Sequence, residues 1–516
     1  MSRLIVTITP PTPNGGLHLG HMAGPFLCAD VYARAQRQRG HDALLVCYSD
    51  DYQSYLARKA RELGRAPADV SGQYAAEIAD TLERADVKLD WFLRAWDNPH
   101  FLRCVAEHWR AVNAAGAVGT AERPVPYCAA CRLLGYEAFA RGACDHCGAP
   151  SDASQCEHCA GAPDATRMTG LRCTQCAAPT AWRTMRRRLL RLGAFREALR
   201  RDHVDSTRRA PLREFLHRTL ELPGLDWPVN RPQEHGIPVA HDSEVELMST
   251  WFSGLAGYQA CLEEMSAATG RDVIDEFWRG CGTRLVHFLG FDCSFSHAIG
   301  YRAILHTLAD APRDVRYFTN AFLKLDGQDF STSRGHAIWA RDVLERVDAS
   351  VLRRYLVRVA PEEAPANFDS AGFDAWTGPA QREADALLDR ARALGSAGAA
   401  MLPALDAWPE ARALRRDWQH ATDPDGFSAV ALSHVVERAF ALARDATKEP
   451  SNEPERSQAR VLAALAAVGA SVMPGWTADL TQAMGIDPRR LDRWLAAPEP
   501  SGHPGARAAE ALGAAA

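Results

Sequence analysis

Apolar positions along the chain fall into three rhythms. Residues 4 to 9 (LIVTIT) form an unbroken apolar, β-branched run closed by Pro10 and Pro11, as expected of a strand buried on both faces. A Pro- and Gly-rich turn follows, and a helical period begins near His18. A second apolar run, Ala43 to Tyr48, ends in Ser49, Asp50 and Asp51. Strand, turn, helix, strand predicts a parallel βαβ unit, whose ligands lie beyond the carboxyl ends of the strands. Residues 52 to 115 read as helical throughout. Near residue 120 the period breaks into cysteine pairs and glycines. Helical patterns resume after about residue 186, and Arg284 to Gly290 reads as a further buried strand. Arg183, Arg186, Arg187, Arg188, Arg191, Arg196, Arg200 and Arg201 interleave with leucines at spacings that predict an amphipathic helix, most simply a solvated face. From about 373 onward the chain is Ala-, Leu- and Arg-rich and helical, with Ser501 to Ala516 as a frayed tail.

The expected class is therefore α/β, a Rossmann-like domain carrying a cysteine-rich insertion and followed by an all-helical domain. The boundaries read as 1–116 for the first half of the α/β domain, 117–185 for the insertion and 186–340 for the second half. Residues 341–372 read as a connection and 373–516 as the helical domain. At 516 residues, 47% hydrophobic and 24% charged, the chain has the composition of a multidomain globular protein. No apolar run approaches the roughly 20 residues of a membrane span. The opening MSRLIVTITPPTPNGG has no signal-peptide core, so a cytoplasmic location is expected. Net charge is −5, without the basic excess of a domain built mainly to hold nucleic acid.

Fourteen cysteines in a reducing compartment argue for metal rather than disulfides. Eight of them form four Cys-x-x-Cys pairs: Cys128 and Cys131, Cys144 and Cys147, Cys156 and Cys159, Cys173 and Cys176. Each such turn sets two thiolates on one edge of a tetrahedron, so four turns make two structural zinc sites. Spacing alone leaves the pairing open. Unliganded thiols or one redox pair are the alternatives, and the other six cysteines read as core.

Pro10 to His21 (PPTPNGGLHLGH) places glycines where backbone can approach a phosphate, and sets two imidazoles three residues apart at a helix start, where anions are favoured. The constellation resembles the HIGH signature of class I aminoacyl-tRNA synthetases, nearest to the methionyl type, and other segments follow in order over about 370 residues. These include GFDCSFSH with Gly290, Asp292 and His297, the run Leu225 to Arg231, and Gly236 with Pro238. The cysteine pairs stand where that family carries its zinc insertion, and the resemblance implies outer pairs on one zinc and inner pairs on the other.

The resemblance implies an aminoacyl-adenylate-forming ligase using ATP with Mg²⁺. Thr9, Asn14, Gly15, His18, Gly20, His21, Gly290 and Asp292 would hold ATP, with Asp292 on the ribose. Pro10, Thr12, Asp51, Trp251, Tyr258, Cys293 and His297 would form the amino-acid pocket, with Asp51 on the ammonium. His18, His21, Ser331, Ser333 and Arg334 would be catalytic. Pro10 and Thr12 stand where methionyl enzymes carry leucine and tyrosine, implying a more open or more polar pocket. The family's KMSKS loop reads Asp329, Phe330, Ser331, Thr332, Ser333 here, losing both lysines; Lys324 or Arg334 would have to supply the cation. On the first tail helix, roughly Phe373 to Leu394, Leu387 and Ala391 replace the Asn and Arg that read an anticodon.

Three functions are compatible with these residues. One is a ligase passing an activated amino acid to a small amine or hydroxylamine. Similar domains do so in nitrogen–nitrogen bond formation, usually joined to a metal-binding cupin; without a visible cupin segment, a separate metal-dependent partner protein is implied. The second is a true aminoacyl-tRNA ligase. The third is a silent paralogue that binds nucleotide or a partner.

Overall fold

The computed structural model describes residues 2–206, 209–231, 236–241, 244–330, 335–396, 405–446 and 454–498. Its centre is a five-stranded, wholly parallel sheet. The strands are β1 (Arg3–Ile8), β2 (Asp42–Ser49), β3 (Trp91–Arg94), β6 (Thr283–Gly290) and β7 (Asp314–Asn320), in the order β7-β6-β1-β2-β3. In β1 and β2 every residue after the first is buried, which is why both read as continuous apolar runs. The chain leaves β1 in one direction towards β2 and β3 and returns in the other through β6 and β7. The carboxyl ends of β1, β2 and β6 therefore meet at a topological switch point.

Two expectations are corrected here. The stretch 52–115 is not helical throughout: between helices Pro67–Arg84 and Pro99–Ala114 it contains β3, which pairs parallel to β2. Four residues, only one of them buried, leave too little period to detect. The basic run is not one helix either. Arg183 to Arg191 lie on β5 (Ala181–Arg191), antiparallel to β4 (Val118–Cys128), and only Arg196, Arg200 and Arg201 fall on a helix, Arg196–Ser206. Strand pairing overrides the local period: Asn230 receives a hydrogen bond from the Arg187 side chain and Arg188 pairs with Glu246.

The β4–β5 ribbon carries the cysteine module at its far end. The helical region, from Ser370–Leu394 to Pro488–Ala496, is anchored to the sheet domain through Arg353. This arginine is 1% exposed. It pairs with Asp30 at 2.6 Å and donates to the carbonyls of Asp86, Ser471 and Val472, so a buried cation is fully partnered across the junction. Leu387 and Ala391 lie in the core of the helical bundle. Among the described residues no helix is long and apolar enough to cross a membrane.

Candidate functional site

Beyond β1 the backbone turns through Thr9, whose N–H and hydroxyl both donate to the carbonyl of Phe288, and through Pro10 and Pro11. Asp50 N–H reaches back to the Pro11 carbonyl at 3.0 Å, fixing the ends of β1 and β2 together. His18 caps the short turn Leu19–His21, and the two rings stack with centroids 3.7 Å apart. Two links fix this turn from below: Leu19 N–H donates to the carbonyl of Ile338, and Ala340 N–H donates to Leu17. A Cβ on Gly20 would lie 2.9 Å from His18 Nδ1, so glycine is needed for the rings to fold over the turn. Packing and His21 lower the pKa of His18 to about 2. The protein around the His21 ring lowers that group to about 4, although one side of the residue is open to solvent. Both imidazoles are thus neutral at pH 7 and present donors to a polyanion without an initial charge. Asn14 and Gly15 lie partly exposed in the same turn.

Phe330 stacks on His18 at 4.9 Å, with the rings 15° apart. Ser331, Ser333 and Arg334 lie outside the described residues. Lys324 is on a short strand in register with Asp329.

The two aspartates after β2 have opposite surroundings. Asp51 is 1% exposed and closed in by four donors: Ser49 Oγ at 2.6 Å, Ser71 Oγ, and the N–H groups of Ala95 and Trp96 at 2.7 and 3.0 Å. Its carboxylate is committed to joining β2 to β3. Among the described residues Asp50 accepts only from Thr250 Oγ1 and Gln53 Nε2, and its charge acts on Tyr48, Tyr301 and Cys293, within the crevice. Burial, opposed by those two donors, raises its pKa to about 7. Asp50 therefore keeps lone pairs to spare beside Tyr301 and Cys293, whereas Asp51, the residue expected at the ammonium, has its oxygens taken up by four donors. Adjacent residues leaving a strand face opposite sides, and a Ser-Asp-Asp string does not say which side is which.

Tyr258 Oη donates to the Ile8 carbonyl and meets His297 Nε2 at 3.0 Å; His297 Nδ1 lies 3.0 Å from Ser296 Oγ. Burial lowers His297 to about 4, so it too is neutral. Trp251, at the start of helix Thr250–Thr269, is partly buried, and its indole N–H has no partner among the described residues. Tyr301, not anticipated from the sequence, packs on His297 at 4.7 Å. A Cβ on Gly254 would fall 1.9 Å from the Tyr301 hydroxyl, so only glycine makes room for it. Pro10, Thr12 and Cys293 are partly exposed. Asp292, just past Gly290 at the end of β6, has its pKa raised to about 7 by burial and then by Glu157. It accepts from Gln155 Nε2 at 3.2 Å.

The cysteine pairs sort into two groups, Cys128, Cys131, Cys173, Cys176 and Cys144, Cys147, Cys156, Cys159, outer with outer and inner with inner. Sulfurs from partner pairs lie 3.5 and 3.9 Å apart in the first group and 3.9 and 3.6 Å in the second. A tetrahedral ion with bonds of about 2.3 Å requires edges of about 3.8 Å. Both groups fit such an ion. Every Cys-x-x-Cys turn is followed by a left-handed residue: Arg132, Gly148, Ala160 and Ala177. Within the turns N–H groups approach the sulfurs, from Cys131 to Cys128 and from Gln175 to Cys173, both at 3.4 Å.

Residues 4–377 match the family described as tRNA synthetases class I (M). A methionine–tRNA ligase of Thermomicrobium roseum is 32% identical over 71% of this chain and 64% of its own length, and one of Methanobrevibacter smithii is 26% identical over 75% and 57%. The chain thus spans about 55 to 64% of the length of the first such relatives. In fold it is similar to a Mycobacterium tuberculosis methionyl-tRNA synthetase solved with methionyl-adenylate. The TM-score is 0.71 at 17% identity, over 97% of this chain and 99% of that one.

Proposed function

This chain belongs to the class I tRNA synthetase family (M), and on that premise we propose that it condenses an amino acid with ATP to an aminoacyl-adenylate and passes the aminoacyl group to an acceptor. The observation that carries the proposal is the meeting of three groups at the switch point. These are two stacked neutral imidazoles at the end of β1, a crevice-facing carboxylate after β2 and a second carboxylate after β6. His18 and His21 would donate to the triphosphate and follow the charge that develops as pyrophosphate leaves, with Mg²⁺ accompanying ATP. Asp292 would hold the ribose. Asp50, in place of Asp51, would hold the substrate ammonium, while Trp251, Tyr258 and His297 enclose its side chain with Pro10, Thr12 and Cys293. Thr9, Asn14, Gly15, Gly20 and Gly290 would supply backbone to ATP, and Ser331, Ser333 and Arg334 would be catalytic with the two histidines. The amino acid's carboxylate attacks the α-phosphorus, the bond to the bridging oxygen breaks, and pyrophosphate leaves. Two zinc ions, one in each cysteine group, would brace the insertion.

For the acceptor we favour a small amine or hydroxylamine without tRNA. Its support is the burial of Leu387 and Ala391, which cannot reach a base from inside the bundle. A true aminoacyl-tRNA ligase is the second reading, supported by the named activity of the relatives. The deciding experiment is amino-acid-dependent pyrophosphate exchange over the common amino acids, with and without total tRNA. Turnover without charged tRNA supports the small acceptor, and charged tRNA supports the second reading. Turnover retained in His21→Ala would sink the site assignment.

A further inference from the structure

The inner cysteine group reaches the crevice through one residue. Gln155 lies directly before Cys156, and its backbone is held on both sides: its N–H donates to Asp152 Oδ1 at 2.7 Å and its carbonyl accepts from Ser151 Oγ at 2.9 Å. Asp152 is itself buried, and receives the Tyr55 hydroxyl from helix Ser54–Leu63, the helix that follows Asp50. Behind the loop, Ala160 is fully buried in the core that includes β6 residues Leu285 and Leu289. The side chain leaving this braced loop ends with Nε2 at 3.2 Å from Asp292 Oδ2 and 3.8 Å from Cys293 Sγ.

Asp292 needs such a partner. It is packed among protein atoms with Glu157 and Asp152 nearby, which oppose its charged form, while the backbone N–H groups of Asp292 and Cys293 favour that form. A carboxylate that must accept ribose hydroxyls works best when ionised and fixed, with one oxygen anchored and the other offered. We infer that Gln155 is a positioning residue for nucleotide binding: its amide anchors one oxygen of Asp292 so that the other faces the ribose, which makes the inner cysteine group a support of the nucleotide site. The inference rests on the reading of Asp292 as the ribose carboxylate.

The test is calorimetric titration of the full, zinc-loaded chain with ATP and with 2′,3′-dideoxy-ATP, for wild type, Gln155→Ala, Asp292→Ala and the double variant. Gln155→Ala should weaken ATP about tenfold, as for one hydrogen bond to a charged group, and leave dideoxy-ATP unchanged. In the Asp292→Ala background the same substitution should have no effect. Metal content should stay at the wild-type value in all four, which separates positioning from loss of the fold. Equal weakening of both nucleotides, or none, in Gln155→Ala overturns the inference. If Asp292→Ala itself leaves ATP binding intact, the site assignment fails and the inference with it.

Discussion

The two cysteine groups are built alike and placed differently. Each uses two Cys-x-x-Cys turns, each has similar sulfur spacings, and each leaves one cysteine, Cys176 or Cys147, exposed. The outer group closes the end of the β4–β5 ribbon, Cys128 being the last residue of β4, and rests on a small cluster of Val125, Leu133, Leu134, Tyr136 and Phe139. The inner group backs onto the main core through Ala160 and onto the crevice through Gln155. Equal chemistry therefore serves unequal ends, and what separates them is which side chain the turn delivers, not the ligands.

Breaking each group in turn should give the largest contrast. Cys144→Ser with Cys147→Ser should remove one metal ion per chain and weaken ATP binding at least about tenfold, because it releases the loop that holds Gln155. Cys128→Ser with Cys131→Ser should also remove one ion and lower the melting temperature, but change ATP affinity by less than about threefold. Metal analysis paired with calorimetry reads both, and equal losses of affinity would erase the distinction drawn here.

Within the crevice the same contrast, committed against available, applies to neighbouring aspartates. Asp50→Asn should raise the KM for the amino acid by about a hundredfold with little loss of stability, since it breaks a charged contact made only with substrate. Asp51→Asn should do the reverse, costing about 2 to 4 kcal/mol of folding stability because four donors lose their anion. Steady-state kinetics and chemical denaturation of the two variants test the assignment, which fails if Asp51→Asn is the variant with the larger KM.

The pH dependence follows from the same carboxylate. Burial raises Asp50 to about 7, so in the free protein it holds a proton below that pH. An ammonium substrate requires the ionised form. Amino-acid affinity should therefore fall about tenfold per unit as pH drops below 7 and level off above it. Below about pH 4 His21 and His297 also begin to protonate, outside this window. Asp50→Asn should flatten the profile, and a wild-type profile flat from pH 5.5 to 8 would remove Asp50 from the ammonium site.

Much of this was legible in the sequence. Fully buried parallel strands announce themselves as apolar runs, and Cys-x-x-Cys turns announce candidate ligands, so the sheet core and the eight cysteines could be read directly, while their sorting into two groups came from the family resemblance. The failures share one cause, which is that the deciding information is long-range. Strand β3 is held by pairing with β2, and the arginines of β5 by pairing with β4. Tyr301 depends on a glycine 47 positions away, and Gln155 on a carboxylate 137 positions away. No local period carries such facts.

The smallest effect distinguishes the groups by backbone alone. Ala160, in the inner group, and Ala177, in the outer, both hold φ near +60°, a conformation that disfavours a Cβ by about 1 kcal/mol. Ala177 is exposed, so Ala177→Gly relieves that strain at no packing cost and should stabilise by about 0.5 kcal/mol after the extra chain entropy of glycine. Ala160 is fully buried, and removing its methyl group costs about 0.8 kcal/mol of burial, so Ala160→Gly should be neutral or slightly destabilising. Thermal unfolding with both metal groups loaded resolves the difference. If both substitutions stabilise equally, the methyl of Ala160 contributes nothing to joining the inner group to the core, and the coupling to the crevice runs through the Asp152–Gln155 loop alone.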